Sequence, residues 1–262
     1  MKGIERSPAS LSSTDPDSPL AWHLPCCYSS LRISPIGKRY EGLVVLMDFK
    51  AVLFDLDGTL LDTLGDLANS MNGVLKRRGF PQHERELYKQ FVGDGMEALV
   101  RRALPESHQG EQLVEACSLA MREEYSVRWR ETTRPYAGIP ELLDALARSR
   151  CRMAILSNKP DDFTREMVGA LLASWRFDAV VGARPEVPKK PDPTMALAMA
   201  RDLAIPPARI IYLGDSGTDM RTAVSAGMFP IGALWGFRGA AELEANGARV
   251  LISRPTDLLG LL

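Results

Sequence analysis

The sequence predicts an α/β protein: a parallel sheet with helices on both faces, interrupted once by a helical insertion. Three observations predict it. Short apolar runs bounded by turn residues recur at 51–55, 152–157, 178–182, 209–215 and 229–235, with a weaker one at 249–253, as buried strands require. Helix-length amphipathic stretches alternate with them at 139–149, 161–174, 192–204, 217–226 and 239–246, the pattern of crossover helices over a parallel sheet. Residues 63–134 hold no comparable strand and read as helices at 64–79, 84–91, 95–103 and 110–130, divided by Gly79-Phe80-Pro81, Gly93-Asp94-Gly95 and Leu104-Pro105.

The elements follow in chain order. Residues 1–46 are rich in Ser and Pro and carry no helical or strand period. Such a segment buries too little apolar surface to offset its ordering entropy, so it is expected to be a disordered extension. It lacks the apolar stretch of a secretory signal, and Asp15, Asp17 and Glu41 argue against a transit peptide. Met47-Asp48-Phe49-Lys50 precedes the first strand and reads as an alternative start. The core is expected at 47–62 and 135–262, and the helical insertion at 63–134. Asp62-Thr63 and Arg134–Gly138 flank that insertion and read as hinges.

Composition narrows the function classes. The chain has 262 residues, 45% hydrophobic and 25% charged, with a formal net charge of −1. No basic excess points to nucleic acid, and no run of apolar residues is long enough to span a membrane. Cys26, Cys27, Cys117 and Cys151 show no Cys-x-x-Cys spacing, so neither a zinc site nor a disulfide framework is suggested. A cytoplasmic setting is the expectation. His23, His83 and His108 are too scattered for a histidine metal site. A monomer or homodimer is the expectation.

In open parallel sheets, ligands bind outside the carboxyl ends of the strands, and three chemically loaded segments fall there. In FDLDGTLLDT, Asp55 ends the first strand and Asp57, two residues on, projects to the same side. Gly58 then permits a turn and close backbone approach. Two carboxylates this close need a cation or a shared proton. In LSNKP, Ser157 places a hydroxyl at a strand end. In LGDSGTDM, Asp215 ends a strand and Asp219 lies one turn on, near a helix N-terminus. Lys189 and Lys190 precede the helix that starts near Asp192. Carboxylates in this number suit Mg²⁺, which takes one or two of them plus waters and substrate oxygens; a lysine and a hydroxyl suit a phosphate. Gly-Asp-Ser-Gly at 214–217 also raises a serine nucleophile, Ser216, but no histidine has a neighbourhood that would supply its base.

These segments resemble the four motifs of the haloacid dehalogenase superfamily, in order: Asp55-Leu56-Asp57-Gly58-Thr59, then Ser157, then Lys190, then Gly214-Asp215-Ser216 with Asp219. The resemblance covers residues 48–262 and implies a Rossmann-like core with an inserted α-helical cap. Within the superfamily the sequence is most similar to phosphoglycolate phosphatases and their pyrophosphatase relatives, through FVGDGMEALV, RPYAGIPELL, SNKP, KKPDP and WGFRG. Many of those enzymes have Thr where Ser157 stands; the hydroxyl is kept.

The resemblance implies a mechanism. Asp55 attacks phosphorus to form an aspartyl-phosphate, and Asp57 protonates the leaving alcohol and then activates water. Asp55, Asp57 through its backbone carbonyl, and Asp215 hold Mg²⁺. Thr59, Ser157, Asn158 and Lys190 bind or frame the phosphate. Asp219 either supports the metal waters and Lys190 or caps its helix. Gly93 and Gly95 either present N–H groups to a substrate carboxylate or form a plain helix–helix turn. Arg101 and Arg102 read as a solvated face, Trp235 and Phe237 as packing. The activity implied is Mg²⁺-dependent hydrolysis of a small phosphomonoester, with 2-phosphoglycolate first. A pyrophosphatase, another sugar-phosphate phosphatase or a phosphomutase shares the core. Asp57 argues against a dehalogenase, and a non-catalytic phosphate-binding module is the alternative of a different class.

Overall fold

The computed structural model describes residues 48–262; the expectations for 1–46 and for Met47 lie outside them. The chain order is β1 (Ala51–Phe54), β2 (Leu61–Asp62), α1 (Leu64–Arg77), α2 (Tyr88–Phe91), α3 (Met96–Ala103), α4 (Glu111–Arg128), β3 (Arg134–Pro135), α5 (Ile139–Ser149), β4 (Arg152–Pro160), α6 (Asp161–Leu171), β5 (Ala179–Ala183), α7 (Thr194–Asp202), β6 (Ile210–Gly214), α8 (Gly217–Ser225), β7 (Phe229–Ala233), α9 (Ala240–Ala245) and β8 (Val250–Ile252). Four short 3₁₀ turns complete it, the last over Pro255–Leu261.

Six strands form one sheet in the order β5-β4-β1-β6-β7-β8, and every pair in it is parallel. Both faces are covered, and the side chains of β1 divide between them with period two. Val52 and Phe54 enter one apolar cluster with Met153, Ile155, Ile211 and Leu213. Ala51 and Leu53 enter a second with Ala196, Met199, Tyr212 and Ala223 under α7 and α8. The first cluster runs on without a break into the helical segment through Leu67, Met71, Tyr88, Val100, Met121 and Trp129.

Strand β1 is the topological switch. From it the chain order runs outward to β4 and β5 on one side and to β6, β7 and β8 on the other, so the carboxyl ends of β1, β4 and β6 meet in a crevice. The registers pair Phe54 with Ile155 and with Leu213. Asp55, Ser157 and Asp215 therefore emerge together just past that level.

Strand β4 runs three residues beyond the apolar run that announces it. Its pairing with β5 slips between Leu156 and Pro160, where four steps on β4 face two on β5. This bulge frees Ser157, Asn158 and Lys159 from strict pairing and turns them toward the crevice.

The helices between β2 and β3 leave and rejoin the core side by side, because β2 and β3 pair antiparallel, Leu61 with Pro135 and Asp62 with Arg134. The joint is fastened by Asp66, fully buried in the first turn of α1. Its carboxylate accepts from Thr132 N at 2.9 Å and Oγ1 at 2.6 Å, and from Thr133 N at 2.9 Å and Oγ1 at 2.8 Å.

Candidate active site

The loop after β1 closes tightly: the N–H groups of Leu60 and Leu61 both donate to the carbonyl of Leu56. Gly58 makes this possible. Its φ is +90°, and a Cβ there would lie 2.3 Å from Asp215 Oδ2, so any side chain would both strain the turn and displace that carboxylate.

Four carboxylates and two ammonium groups meet in the crevice. Lys190 Nζ donates to Asp55 Oδ1 at 2.6 Å, to Asp219 Oδ1 at 2.7 Å and to the Leu156 carbonyl at 3.1 Å. Lys159 Nζ donates to both oxygens of Asp57 at 3.1 Å and to the Tyr125 hydroxyl at 2.9 Å. Asp215 accepts from the Phe237 N–H at 2.7 Å and from Thr59 Oγ1 at 3.3 Å. The two carboxylates at the end of β1 thus have separate counter-ions rather than one shared proton.

Burial drives the titration of the centre. It pushes Asp55 up to about 7, against the pull of Lys190 and with added repulsion from Asp219 and Asp57. It raises Asp215 well above the usual carboxylate range, with Asp55 and Asp219 adding to it. Burial works against the charged form of Lys190 too, but Asp219 and Asp55 outweigh it and hold the ammonium charged.

The donor set fits a divalent cation. Asp55, Asp215 and Asp219 are all buried and can each bring an oxygen within 4.8 Å of the others. Four carboxylates against two ammonium groups leave a formal charge of −2, which is costly in a buried site without a cation. An all-oxygen set of this charge suits Mg²⁺.

Several of the residues singled out in the sequence have their side chains engaged by other protein groups. Thr59, expected at the phosphate, is fully buried, and its hydroxyl supports Asp215. Asn158, also expected there, uses its amide as a backbone splint: Nδ2 donates to the Gly93 and Lys190 carbonyls and Oδ1 accepts from the Lys190 N–H. Lys190 has all three N–H groups on protein acceptors. Ser157 lines the cavity, and its hydroxyl accepts from the Lys159 N–H at 3.2 Å.

Asp219 and Ser216 form a reciprocal capping box at the start of α8. Ser216 donates its N–H and its hydroxyl to Asp219 Oδ2, at 3.1 and 2.6 Å, and accepts from the Asp219 N–H. Ser216 is therefore a helix cap, and among the described residues no histidine lines the cavity.

The segment Val92–Gly95 closes over the crevice. Arg238 Nη2 donates to the Val92 carbonyl at 2.8 Å, Asn158 to the Gly93 carbonyl at 3.1 Å and Thr218 Oγ1 to Asp94 Oδ1 at 3.0 Å. Arg102 also pairs with Asp94, and with Thr218 it holds that carboxyl below its usual range despite burial. Gly93 and Gly95 both line the cavity, and Gly95 caps α3.

The pattern of haloacid dehalogenase-like hydrolases matches residues 52–233. The chain belongs to that family. It is 31% identical over 213 residues to a phosphoglycolate phosphatase of Aquifex aeolicus, covering 81% of this chain and 96% of the relative. It is 30% identical over 221 residues to an N-acetylmuramic acid 6-phosphate phosphatase of Pseudomonas aeruginosa, covering 82% and 96%. A crystal structure of a predicted phosphoglycolate phosphatase from Haemophilus somnus superposes with a TM-score of 0.76 at 26% identity, over 82% of this chain and 98% of the other.

Sequence reasoning missed Lys159, Tyr125, Arg238 and Asp66. Lys159 sat inside the quoted SNKP, yet no spacing rule pairs it with Asp57. Arg238 follows WGF, where the aromatics draw attention. Tyr125 and Asp66 reach their partners only through the packing of α4 and α1.

Proposed function

We propose that the chain is a divalent-cation-dependent phosphatase of small phosphomonoesters, with 2-phosphoglycolate the first substrate to test. The observation that carries this reading is the pair Asp55 and Asp57 at the end of β1, each with its own lysine. Asp55 Oδ1 is held by Lys190, which leaves Oδ2 to attack phosphorus. The P–O bond to the alcohol breaks as the Asp55–phosphorus ester forms, so one hard displacement becomes two easier ones. Asp57, carrying a proton in the substrate complex, gives it to the departing oxygen. It then takes a proton from the water that attacks the aspartyl-phosphate, which restores Asp55. Ser157 donates its hydroxyl to a phosphoryl oxygen. A magnesium ion would be held by Asp55, Asp215 and the Asp57 carbonyl, with Asp219, engaged by Lys190 and Ser216, beside it, and would neutralise charge on the phosphoryl oxygens. The helices of 63–134 serve as a cap that excludes water while it is closed.

The substrate class rests on Arg238. Among the described residues three cationic ones line the cavity, Lys159, Lys190 and Arg238. Both lysines are tied to site carboxylates. Arg238 instead donates to the Val92 carbonyl and meets the half-exposed Glu242 at 3.3 Å. Of the three it is the one whose carboxylate partner lies at the surface, so a second anionic group on the substrate could compete for it. The two relatives above are named for phosphate esters of acids, which supports a carboxylate as that group.

Phosphate release from 2-phosphoglycolate, sugar phosphates, ethyl phosphate and pyrophosphate, with Mg²⁺ and with EDTA, tests this. A preference of tenfold or more for 2-phosphoglycolate, about 1.4 kcal/mol of transition-state discrimination, supports the assignment. Release that is indifferent to EDTA refutes the cation, and a preference for pyrophosphate refutes the substrate.

A further inference from the structure

We infer that Lys159 and Tyr125 fix the orientation of the Asp57 carboxylate, so that a side chain of α4 completes the proton-transfer geometry of a site built on the sheet. The inference rests on the phosphatase reading. Lys159 leaves the bulged end of β4 with its side chain 3% exposed. An ammonium has three N–H groups. Here two go to the two oxygens of Asp57, both at 3.1 Å, and the third goes to the Tyr125 hydroxyl at 2.9 Å. The ammonium also lies 4.5 Å from the centre of the Tyr125 ring, a cation–π contact. No direction is left in which it is free to turn.

Tyr125 is held equally firmly. It is fully buried, its ring meets Phe163 edge-on at 5.3 Å, and its hydroxyl lies 3.8 Å from Met167 Sδ. Phe163 and Met167 belong to α6, the helix that directly follows β4. The hydroxyl that receives the lysine is therefore positioned by α4 and α6 together, while Asp57 is positioned by β1. A bidentate grip leaves each Asp57 oxygen a remaining lone pair, and the carboxylate lies at the cavity wall. It can still meet a leaving oxygen or a water, but only in the plane the lysine sets.

The two lysines are divided between the two carboxylates. Lys190 reaches Asp55 and Asp219, and Lys159 reaches Asp57 and Tyr125. Losing Lys159 should therefore impair proton transfer and spare phosphoryl capture from an ester whose leaving group needs no proton. Lys159 and Tyr125 are positioning residues, since both act through Asp57. Lifting α4 would withdraw the tyrosine hydroxyl and leave the grip on Asp57 incomplete.

Pre-steady-state kinetics on the full chain with Mg²⁺ separate the steps. p-Nitrophenyl phosphate has a leaving group that needs no proton, so its burst reports capture by Asp55. 2-Phosphoglycolate, or the alkyl phosphate turned over fastest, needs Asp57 in both steps. Lys159→Met should lower kcat on the alkyl ester by about 100-fold, within the range of general acid–base catalysis, and change the burst rate less than about threefold. Tyr125→Phe keeps the ring and removes the hydroxyl; it should lower kcat several-fold with the burst again retained. In an Asp57→Asn background, Lys159→Met should add nothing beyond about twofold, because coupled residues are not additive.

A burst that falls in step with turnover overturns the inference, as does an unchanged kcat in Lys159→Met or a full additional loss in the Asp57→Asn background. An unchanged Tyr125→Phe overturns the part assigned to α4. Lys159→Gln repeats the test should the methionine variant fail to fold. A burst that persists in Asp55→Asn would instead refute the phosphatase reading itself.

Discussion

A divalent cation should stabilise this protein strongly above pH 7 and weakly at pH 5. Burial raises Asp55 from 3.8 to about 7, so the folded protein without a cation holds a proton there that the unfolded chain has lost. The contribution of this group to stability is complete below about pH 4 and is lost as pH rises through about 7. A shift of this size corresponds to roughly 4 kcal/mol, and Asp215, raised for the same reason, acts in the same direction. A cation binding the carboxylates competes with that proton. Two pH units below 7, one such group weakens cation binding about 100-fold. If Mg²⁺ at pH 8 is present at about 100 times its Kd, it stabilises by about 2.7 kcal/mol; at pH 5 the same concentration gives about 0.4 kcal/mol. For a chain of this size that is a rise in Tm of about 5–10 °C at pH 8 and about 1–2 °C at pH 5. Thermal melts with MgCl₂ and with EDTA at the two pH values measure it. Equal shifts at both pH values, or a larger shift at pH 5, would refute the placement of the cation on buried carboxylates.

Three further outcomes follow from the geometry. Asp55→Asn should lower kcat by roughly four orders of magnitude or more, as loss of a nucleophile does, while Tm in EDTA at pH 8 stays level or rises because a buried carboxylate is gone; substantial activity would remove Asp55 from the nucleophile's role. Asp66→Ala orphans the buried N–H of Thr133 and the half-buried N–H of Thr132 and should cost about 3–5 kcal/mol, whereas Asp66→Asn can reuse those donors and should cost about 1–2 kcal/mol; chemical denaturation decides, and equal losses would contradict the account of the joint. Arg238→Gln should cut the kcat/KM ratio of 2-phosphoglycolate over ethyl phosphate by about 10- to 100-fold, the worth of a charged hydrogen bond; an unchanged ratio places the carboxylate elsewhere.

What the sequence disclosed and what it concealed divide along a physical line. Strands buried on both faces announce themselves as apolar runs, and β1, β5, β6 and β7 fall within a residue or two of those runs. The carboxylates at the strand ends were legible because Asp-x-Asp after such a run has few structural uses. The two-residue strands β2 and β3 were not, since Leu61-Asp62 and Arg134-Pro135 are too short to show a period. β4 outran its apolar stretch because a bulge, invisible in composition, carries Ser157-Asn158-Lys159 past it. Asn158 and Thr59 carry further roles that their motif positions do not announce, a backbone splint for one and support of a buried carboxylate for the other, through partners over 30 and over 150 residues away. Lys159 and Tyr125 stand 34 residues apart and meet only when α4 packs on β4.

The antiparallel joint of β2 and β3 has a consequence for how such a chain diversifies. Because the helices of 63–134 depart and return at adjacent points, the sheet experiences them as one tight turn, whatever their length. Exchanging them for another fold with the same entry and exit would leave strand order, register and the position of Asp55 undisturbed, and the added length costs little in closure entropy. The chemistry and the choice of substrate then vary independently. The exception is Tyr125, whose hydroxyl meets the lysine that holds Asp57, and a replacement would have to bring its own hydroxyl to Lys159.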